Sequence, residues 1–207
     1  MQIAIFASED QKKEILEKGF SDNVEVVWFN MQHENLNGFD AVFDLLFDED
    51  EIEKSILTKN IPVFANAVYT RSENLPENYI RLNAWNGFLS RTIIEVAGSS
   101  VIAKGKATPI LKALNWNFVW APDEPGLIAG RIIAMIINEA YFALAEDVSS
   151  KEEIDVAMKL GTNYPYGPFE WGKKIGIKNI SQLLKKLNKQ EKRYEIAPLL
   201  LQECENS

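Results

Sequence analysis

The chain has almost none of the residues that build metal or disulfide centres. Its 207 residues include one cysteine, Cys204, and one histidine, His33. An internal disulfide and a cysteine-based metal site are therefore excluded, and no second imidazole exists to share a metal with the first. A reducing, cytoplasmic setting fits that usage. Long apolar runs are also scarce. The opening Met1-Gln-Ile-Ala-Ile-Phe-Ala7 becomes charged at Glu9, which is too short for a signal peptide. The most apolar stretch, residues 127–145, contains Arg131, Asn138 and Glu139. Each of these would be costly in hydrocarbon, so a core helix is expected there rather than a membrane span. Basic charge is in deficit: 22 Lys and Arg against 30 Asp and Glu give a net charge of -8, and an acidic surface repels phosphate backbones. The one basic concentration, Lys185, Lys186, Lys189, Lys192 and Arg193, lies in a helical pattern and reads as a solvated face. Neither nucleic acid nor membrane is expected as a partner.

What the chain does contain is an ordinary globular composition, 46% hydrophobic and 25% charged, enough to build a packed core. Short runs rich in β-branched and aromatic residues, at 3–7, 24–29, 41–47 and 62–68, read as buried strands. Polar stretches with apolar residues at helical spacing, 10–18 and 50–57, separate them. That alternation is the rhythm of a parallel α/β sheet. Strand candidates continue at 79–85, 92–96 and 117–120, with a helix over 108–114. The segment Ala121-Pro-Asp-Glu-Pro-Gly126 then interrupts any regular element. Beyond it the pattern is helical, at 127–146, 151–160, 168–175 and 180–187, with Ser150-Lys-Glu-Glu153 forming a capping box. Two domains follow from this: α/β over residues 1–121 and all-α over 122–207.

The second half carries a resemblance. Asp123-Glu-Pro-Gly-Leu-Ile-Ala-Gly-Arg131 with Asn138-Glu-Ala140, then Lys151-Glu-Glu-Ile-Asp-Val-Ala-Met-Lys-Leu-Gly161 and Tyr164-Pro-Tyr-Gly-Pro-Phe-Glu170, resemble the C-terminal domain of 3-hydroxyacyl-CoA dehydrogenases in order and spacing. In that family the domain supplies the dimer interface and one wall of the acyl-CoA cleft. In the first half, Asp40-Ala-Val-Phe-Asp-Leu-Leu-Phe47 and Ile61-Pro-Val-Phe-Ala65 are similar to the family's fourth and fifth Rossmann strands. Between Asn30 and Asp40 only a short connection stands where the family inserts a third strand and a helical hairpin. The resemblance thus implies a shortened Rossmann-like α/β domain followed by an all-α domain of the 3-hydroxyacyl-CoA dehydrogenase C-terminal type.

The chemistry that the resemblance implies is depleted. Dinucleotide binding needs glycines after the first strand so that backbone can approach a pyrophosphate. Here the turn is Phe6-Ala-Ser-Glu-Asp10, in which Ser8 caps the helix with Gln11 while Glu9 and Asp10 add negative charge. No cofactor is expected at Ser8, Glu9 and Asp10. Asn30 stands where the family has an acid for the ribose. Aligned on Ile94-Glu-Val96, Glu95 falls at the family's orienting glutamate and Asn86 at its asparagine, both candidate catalytic residues retained by position. The family's histidine base is replaced by Asn83, whose amide cannot titrate. Gly130 replaces an active-site asparagine, and Tyr69 falls near an active-site serine. His33 reads as a surface residue; Trp116 and Trp120 read as core, and Trp85 and Trp171 as packing residues near a cleft.

Two functions from different classes fit these residues. One is a catalytically silent homologue: a homodimer formed through the helical domain that binds an acyl-CoA-like molecule or a partner. The other is an active NAD-dependent 3-hydroxyacyl-CoA oxidoreductase of fatty-acid metabolism in which Tyr69 or Glu95 handles the proton. A structural partner of a full-length dehydrogenase is a third, weaker reading.

Overall fold

Apolar runs bounded by polar turns become strands along the first half of the chain. The computed structural model describes residues 1–30, 36–54 and 61–206 and forms two compact units, Met1–Leu127 and Ile128–Ser207. All seven expected strands are present: β1 (Gln2–Phe6), β2 (Glu25–Phe29), β3 (Ala41–Asp44), β4 (Val63–Ala65), β5 (Tyr79–Leu82), β6 (Ile93–Ala97) and β7 (Asn117–Trp120). They form one sheet in the order β2-β1-β3-β4-β5-β6-β7. Pairing is parallel except between β5 and β6. Helix α1 (Glu9–Lys18) links β1 to β2, and α2 (Val101–Ala113) links β6 to β7. Both faces of the sheet are covered by apolar side chains, as a parallel sheet requires. One face buries Ile3, Ile5, Phe43 and Phe64, the other Phe6, Val42, Val63 and Ala65.

Because β1 lies between β2 and β3, the chain reverses its direction of travel at the carboxyl ends of β1 and β3. Open α/β sheets place their ligands at such a switch point. Of the helix expected over 50–57, residues Ile52–Lys54 form a single 3-10 turn and residues 55–57 lie outside the described residues, as does His33. Helix α2 begins earlier than the expected residue 108. Ser100 caps it by accepting from the Ala103 amide at 3.2 Å, which rescues a start that Gly105 and Pro109 hide.

The first unit is closed by Arg81, whose side chain is fully buried. Its Nε donates to the Ala67 carbonyl at 3.0 Å, Nη2 to the carbonyls of Val68 and Glu124 at 2.8 and 3.1 Å, and Nη1 to Asp123 Oδ1 at 2.7 Å. Burial pulls the guanidinium below its ordinary pKa, and the bond to Asp123 offsets part of that. Asp123 also accepts from the Ser72 hydroxyl at 2.9 Å, and the Gly126 amide donates to Val68 O at 2.7 Å. The interrupting segment is thus bonded into the first unit, which ends at Leu127 and not after residue 121. Leu127 holds a positive φ of 50°, a conformation costing about 1–2 kcal/mol for a side-chain-bearing residue. Its burial against Ala97 and Ala121 offsets that strain.

The second unit contains α3 (Ala129–Ala145), α4 (Lys151–Thr162), α5 (Pro168–Ile175), α6 (Ile177–Asn188) and α7 (Pro198–Glu205). Helix α3 packs against α5, α6 and α7, and its inward side includes Ile133, Ile137 and Tyr141. The sequence pattern had not singled out α7. Asn138 positions the strand of chain leading into it: its Nδ2 donates to Glu195 O at 2.8 Å and its Oδ1 accepts from the Ala197 amide at 2.9 Å. Among the described residues no helix is long and apolar enough to cross a membrane.

Replacing Arg81 by Met leaves Asp123 without its buried partner. We expect a loss of about 3–5 kcal/mol in urea denaturation. The double change Arg81→Met with Asp123→Leu should recover part of it, because no unpaired charge then remains.

Candidate functional site

The carboxyl ends of β1, β3, β4 and β5 converge on loops whose backbone amides need acceptors. After β1, the Ala7 amide donates to Phe29 O at 3.2 Å. The Ser8 amide donates to Gln11 Oε1 at 3.0 Å, and the Gln11 amide donates to Ser8 Oγ at 3.3 Å, closing the capping box. Gln11 is buried, and its Nε2 reaches over the strand ends to Leu45 O at 2.9 Å and Ala84 O at 3.1 Å. One turn later Glu14 accepts from the amides of Gly87, Leu89 and Ser90 at 2.5, 3.1 and 3.4 Å. Helix α1 therefore ties the β1 turn to the β5–β6 loop.

A second buried carboxylate does the same for the loop after β4. Glu49 accepts from three successive amides, Val68 at 2.6 Å, Tyr69 at 2.9 Å and Thr70 at 2.5 Å. Burial raises its pKa to about 7 despite those bonds. Tyr69 belongs to this loop, and burial together with the carboxylates of Glu49, Asp50 and Asp48 pushes its phenol upward. The phenol is thereby moved away from titration near neutral pH.

Asp44 ends β3 between Phe6 on β1 and Ala65 on β4. It is 1% exposed, and neither carboxylate oxygen makes a well-formed hydrogen bond. Burial raises its pKa to about 7, with the Leu46 backbone amide offsetting only part of the cost. The signal for Asp44 was present in the sequence as a lone acid inside an apolar run.

Of the residues singled out from the sequence, Asn83 and Glu95 come together. They extend the antiparallel pairing of β5 and β6, with the Asn83 amide donating to Glu95 O at 3.3 Å. Directly opposed residues of such a pair share a face. Asn83 is buried, its Oδ1 accepts from the Trp85 amide at 3.4 Å, and its Nδ2 has no acceptor. Asn86 is half-buried in the following turn. Gly130 is buried in α3 of the second unit. Among the described residues no group of His, Cys, Asp or Glu could hold a metal.

In the second unit the Gly-Pro-Phe-Glu motif forms a helix start. Asp155 of α4 accepts from the amides of Phe169 and Glu170 at 2.8 and 3.2 Å, while Glu170 accepts from the Gly167 amide at 2.9 Å and pairs with Lys159 at 2.6 Å. A groove of about 480 Å³ runs alongside, lined by Lys151, Asp155, Phe169, Lys173 and Glu203 among others. Lys151 pairs with Glu203 at 2.5 Å and lies over the rings of Tyr141 and Phe169, so its charge is already satisfied from within.

Residues 126–207 match the family described as 3-hydroxyacyl-CoA dehydrogenase, C-terminal domain. The chain is 42% identical over 113 residues to the 3-hydroxyadipyl-CoA dehydrogenase of Escherichia coli (strain K12), covering 54% of this chain and 24% of that protein. It is 32% identical over 172 residues to the 3-hydroxybutyryl-CoA dehydrogenase of Clostridioides difficile, covering 81% of this chain and 61% of that protein. It thus spans less than two thirds of either relative. The crystal structure of (S)-3-hydroxybutyryl-CoA dehydrogenase from Ralstonia eutropha shares the fold, with a TM-score of 0.70, 17% identity, and coverage of 97% of this chain and 92% of that one.

Two outcomes are expected. The folded pKa of Asp44 lies above its ordinary value of 3.8, at about 7, so the native state binds the proton more tightly. Its contribution is full below about pH 4 and is lost as pH rises through about 7, at a worth of ~1.4 kcal/mol per pH unit of displacement. Thermal melts should show Asp44→Asn gaining on the parent protein by a few degrees or more between pH 5 and pH 8. In the second unit, a Cβ at position 167 would stand 2.3 Å from Asp155 Oδ1. Gly167→Ala should therefore lower stability by roughly 1–3 kcal/mol through overpacking, read by denaturant titration.

Proposed function

This chain belongs to the 3-hydroxyacyl-CoA dehydrogenase family, and from that premise we propose that it is a catalytically silent homologue. In this reading it is a cytoplasmic homodimer, formed through the helical unit, that binds an acyl-CoA-like molecule or a partner without NAD. The observation that carries the reading is the closed turn after β1. A pyrophosphate there needs free amides on a glycine turn at a helix N-terminus, whereas Ser8 and Gln11 consume each other's amides and Ala7 donates to β2. Glu9 and Asp10 add charge of the wrong sign beside it. The residues present do not fit the dinucleotide.

Asn83 supports the same reading. It stands where the family has its general base, and loss of a positioned acid or base typically removes ~100- to 10,000-fold of rate. Exposed Val156 and Leu160, one turn apart on α4, favour association through the helical unit.

Calorimetric titration with NADH should give no saturable binding at or below ~1 mM, and pure protein should not oxidise NADH with acetoacetyl-CoA. Millimolar or tighter NADH binding, or turnover that Glu95→Gln slows, would instead favour the active oxidoreductase.

A further inference from the structure

The groove within the helical unit is built by α4, α5, the start of α6 and α7, and holds about 480 Å³, inside the ~300–1,000 Å³ of small-molecule sites. Four carboxylates and two ammoniums line it, Glu152, Asp155, Glu170 and Glu203 against Lys151 and Lys173. Two of the acids are committed: Glu170 pairs with Lys159 at 2.6 Å and Glu203 with Lys151 at 2.5 Å. The other two are not. Asp155 is 8% exposed and accepts from the neutral amides of Phe169 and Glu170, while Glu152 is exposed one turn away on the same face of α4. Among the described residues no cation pairs with either. A carboxylate buried as deeply as Asp155 ordinarily has a cation beside it.

The walls of the groove already hold one ammonium. Lys151 Nζ lies 5.4 Å from the centroid of the Tyr141 ring and 5.3 Å from that of Phe169. The two rings meet edge to face at 67°, with centroids 5.0 Å apart. Aromatic faces beside a carboxylate are the chemistry that recognises alkylammonium groups. A metal ion would need several converging acids, and among the described residues no such group exists. An anion would meet the unpaired charges of Asp155 and Glu152, which repel it.

We propose that this groove binds a linear organic dication, a diamine or polyamine. One ammonium sits on Asp155 and Glu152, the methylene chain lies along Phe169 and Ile177, and Lys151 stays on Glu203. Two ligand charges match the excess of two carboxylates in the lining. Lys173, exposed and unpaired in the same lining, opposes the bound cation. Binding here is independent of what the first unit binds.

Calorimetric titration of the full chain with spermidine at about 50 mM NaCl should give one saturable site with a Kd at or below about 1 mM. At about 300 mM NaCl it should weaken severalfold as the charges are screened. The amide resonances of Phe169 and Glu170, which donate to Asp155, should move with the same Kd. Glu152→Gln should weaken binding about two- to fivefold, the worth of one exposed charge pair, and Lys173→Gln should tighten it by a similar factor. Both side chains are exposed and without a partner, so both variants keep the fold. Butylamine, with a single charge, should bind more weakly than spermidine. Absence of saturation up to about 10 mM overturns the site. Binding that neither substitution alters and that leaves the two amides unmoved is diffuse counterion attraction to an acidic chain, and overturns it equally. Neither result changes the expectation for NADH.

Discussion

Backbone amides at the carboxyl ends of a parallel sheet must find acceptors, and a buried amide left without one costs about 1–3 kcal/mol. In many sheets of this topology a ligand supplies part of that need. Here the chain's own side chains do it: Gln11 and Ser8 at the β1 turn, Glu14 for the β5–β6 loop, Glu49 for the loop after β4, and Asp123 for Ser72. Apart from the local Ser8–Gln11 pair, each acceptor is distant in sequence from its donors, so the loops hold one another in place. The arrangement has an electrostatic cost, visible in Glu49 and Asp44, both raised to about 7 by burial. Among the described residues Arg81 is the one cation set fully inside the first unit, and it is spent on Asp123 and three carbonyls.

Much of the fold was legible because local and global preferences agree. Val24-Glu-Val-Val-Trp-Phe29 and Asn117-Phe-Val-Trp120 can satisfy their apolar content only as strands, and both are strands. The Ser8–Gln11 and Ser150–Glu153 capping boxes were readable because their partners lie three residues apart. Reading failed where the decisive contact was remote. Nothing near Gln11 indicates that its amide spans to Leu45 and Ala84. Nothing near Arg81 marks Asp123, 42 residues on, as its partner. Helix α7 depends on Asn138 for its approach, and that amide lies 59 residues before Ala197.

The helical unit gives a physical reason why its motif reads so clearly. Gly167 is required because Asp155 fills the space a side chain would take. Pro168 fits the first helical position, where its missing amide is not needed. Phe169 and Glu170 present amides that Asp155 accepts. Three of these four consecutive residues are thus fixed by one carboxylate on a neighbouring helix, a packing constraint. Strong resemblance here can therefore coexist with a first unit that departs from the family's sequence pattern, because different physics selects each set of residues.

The pairing of Asn83 with Glu95 carries that separation into the site. The backbone register that opposes them belongs to the β5–β6 ladder and does not depend on what side chain occupies position 83. An amide at that position retains a donor of hydrogen-bonding size but loses the ability to exchange a proton near neutral pH. Its Nδ2 is left buried without an acceptor, a cost that packing alone gives no reason to bear. Asp44 is unsatisfied in the same way at the end of β3. Both defects lie at strand carboxyl ends and none of the sheet's other buried strand residues shows one among the described residues. The polar groups that the core does not need are thus concentrated where this topology ordinarily meets a ligand.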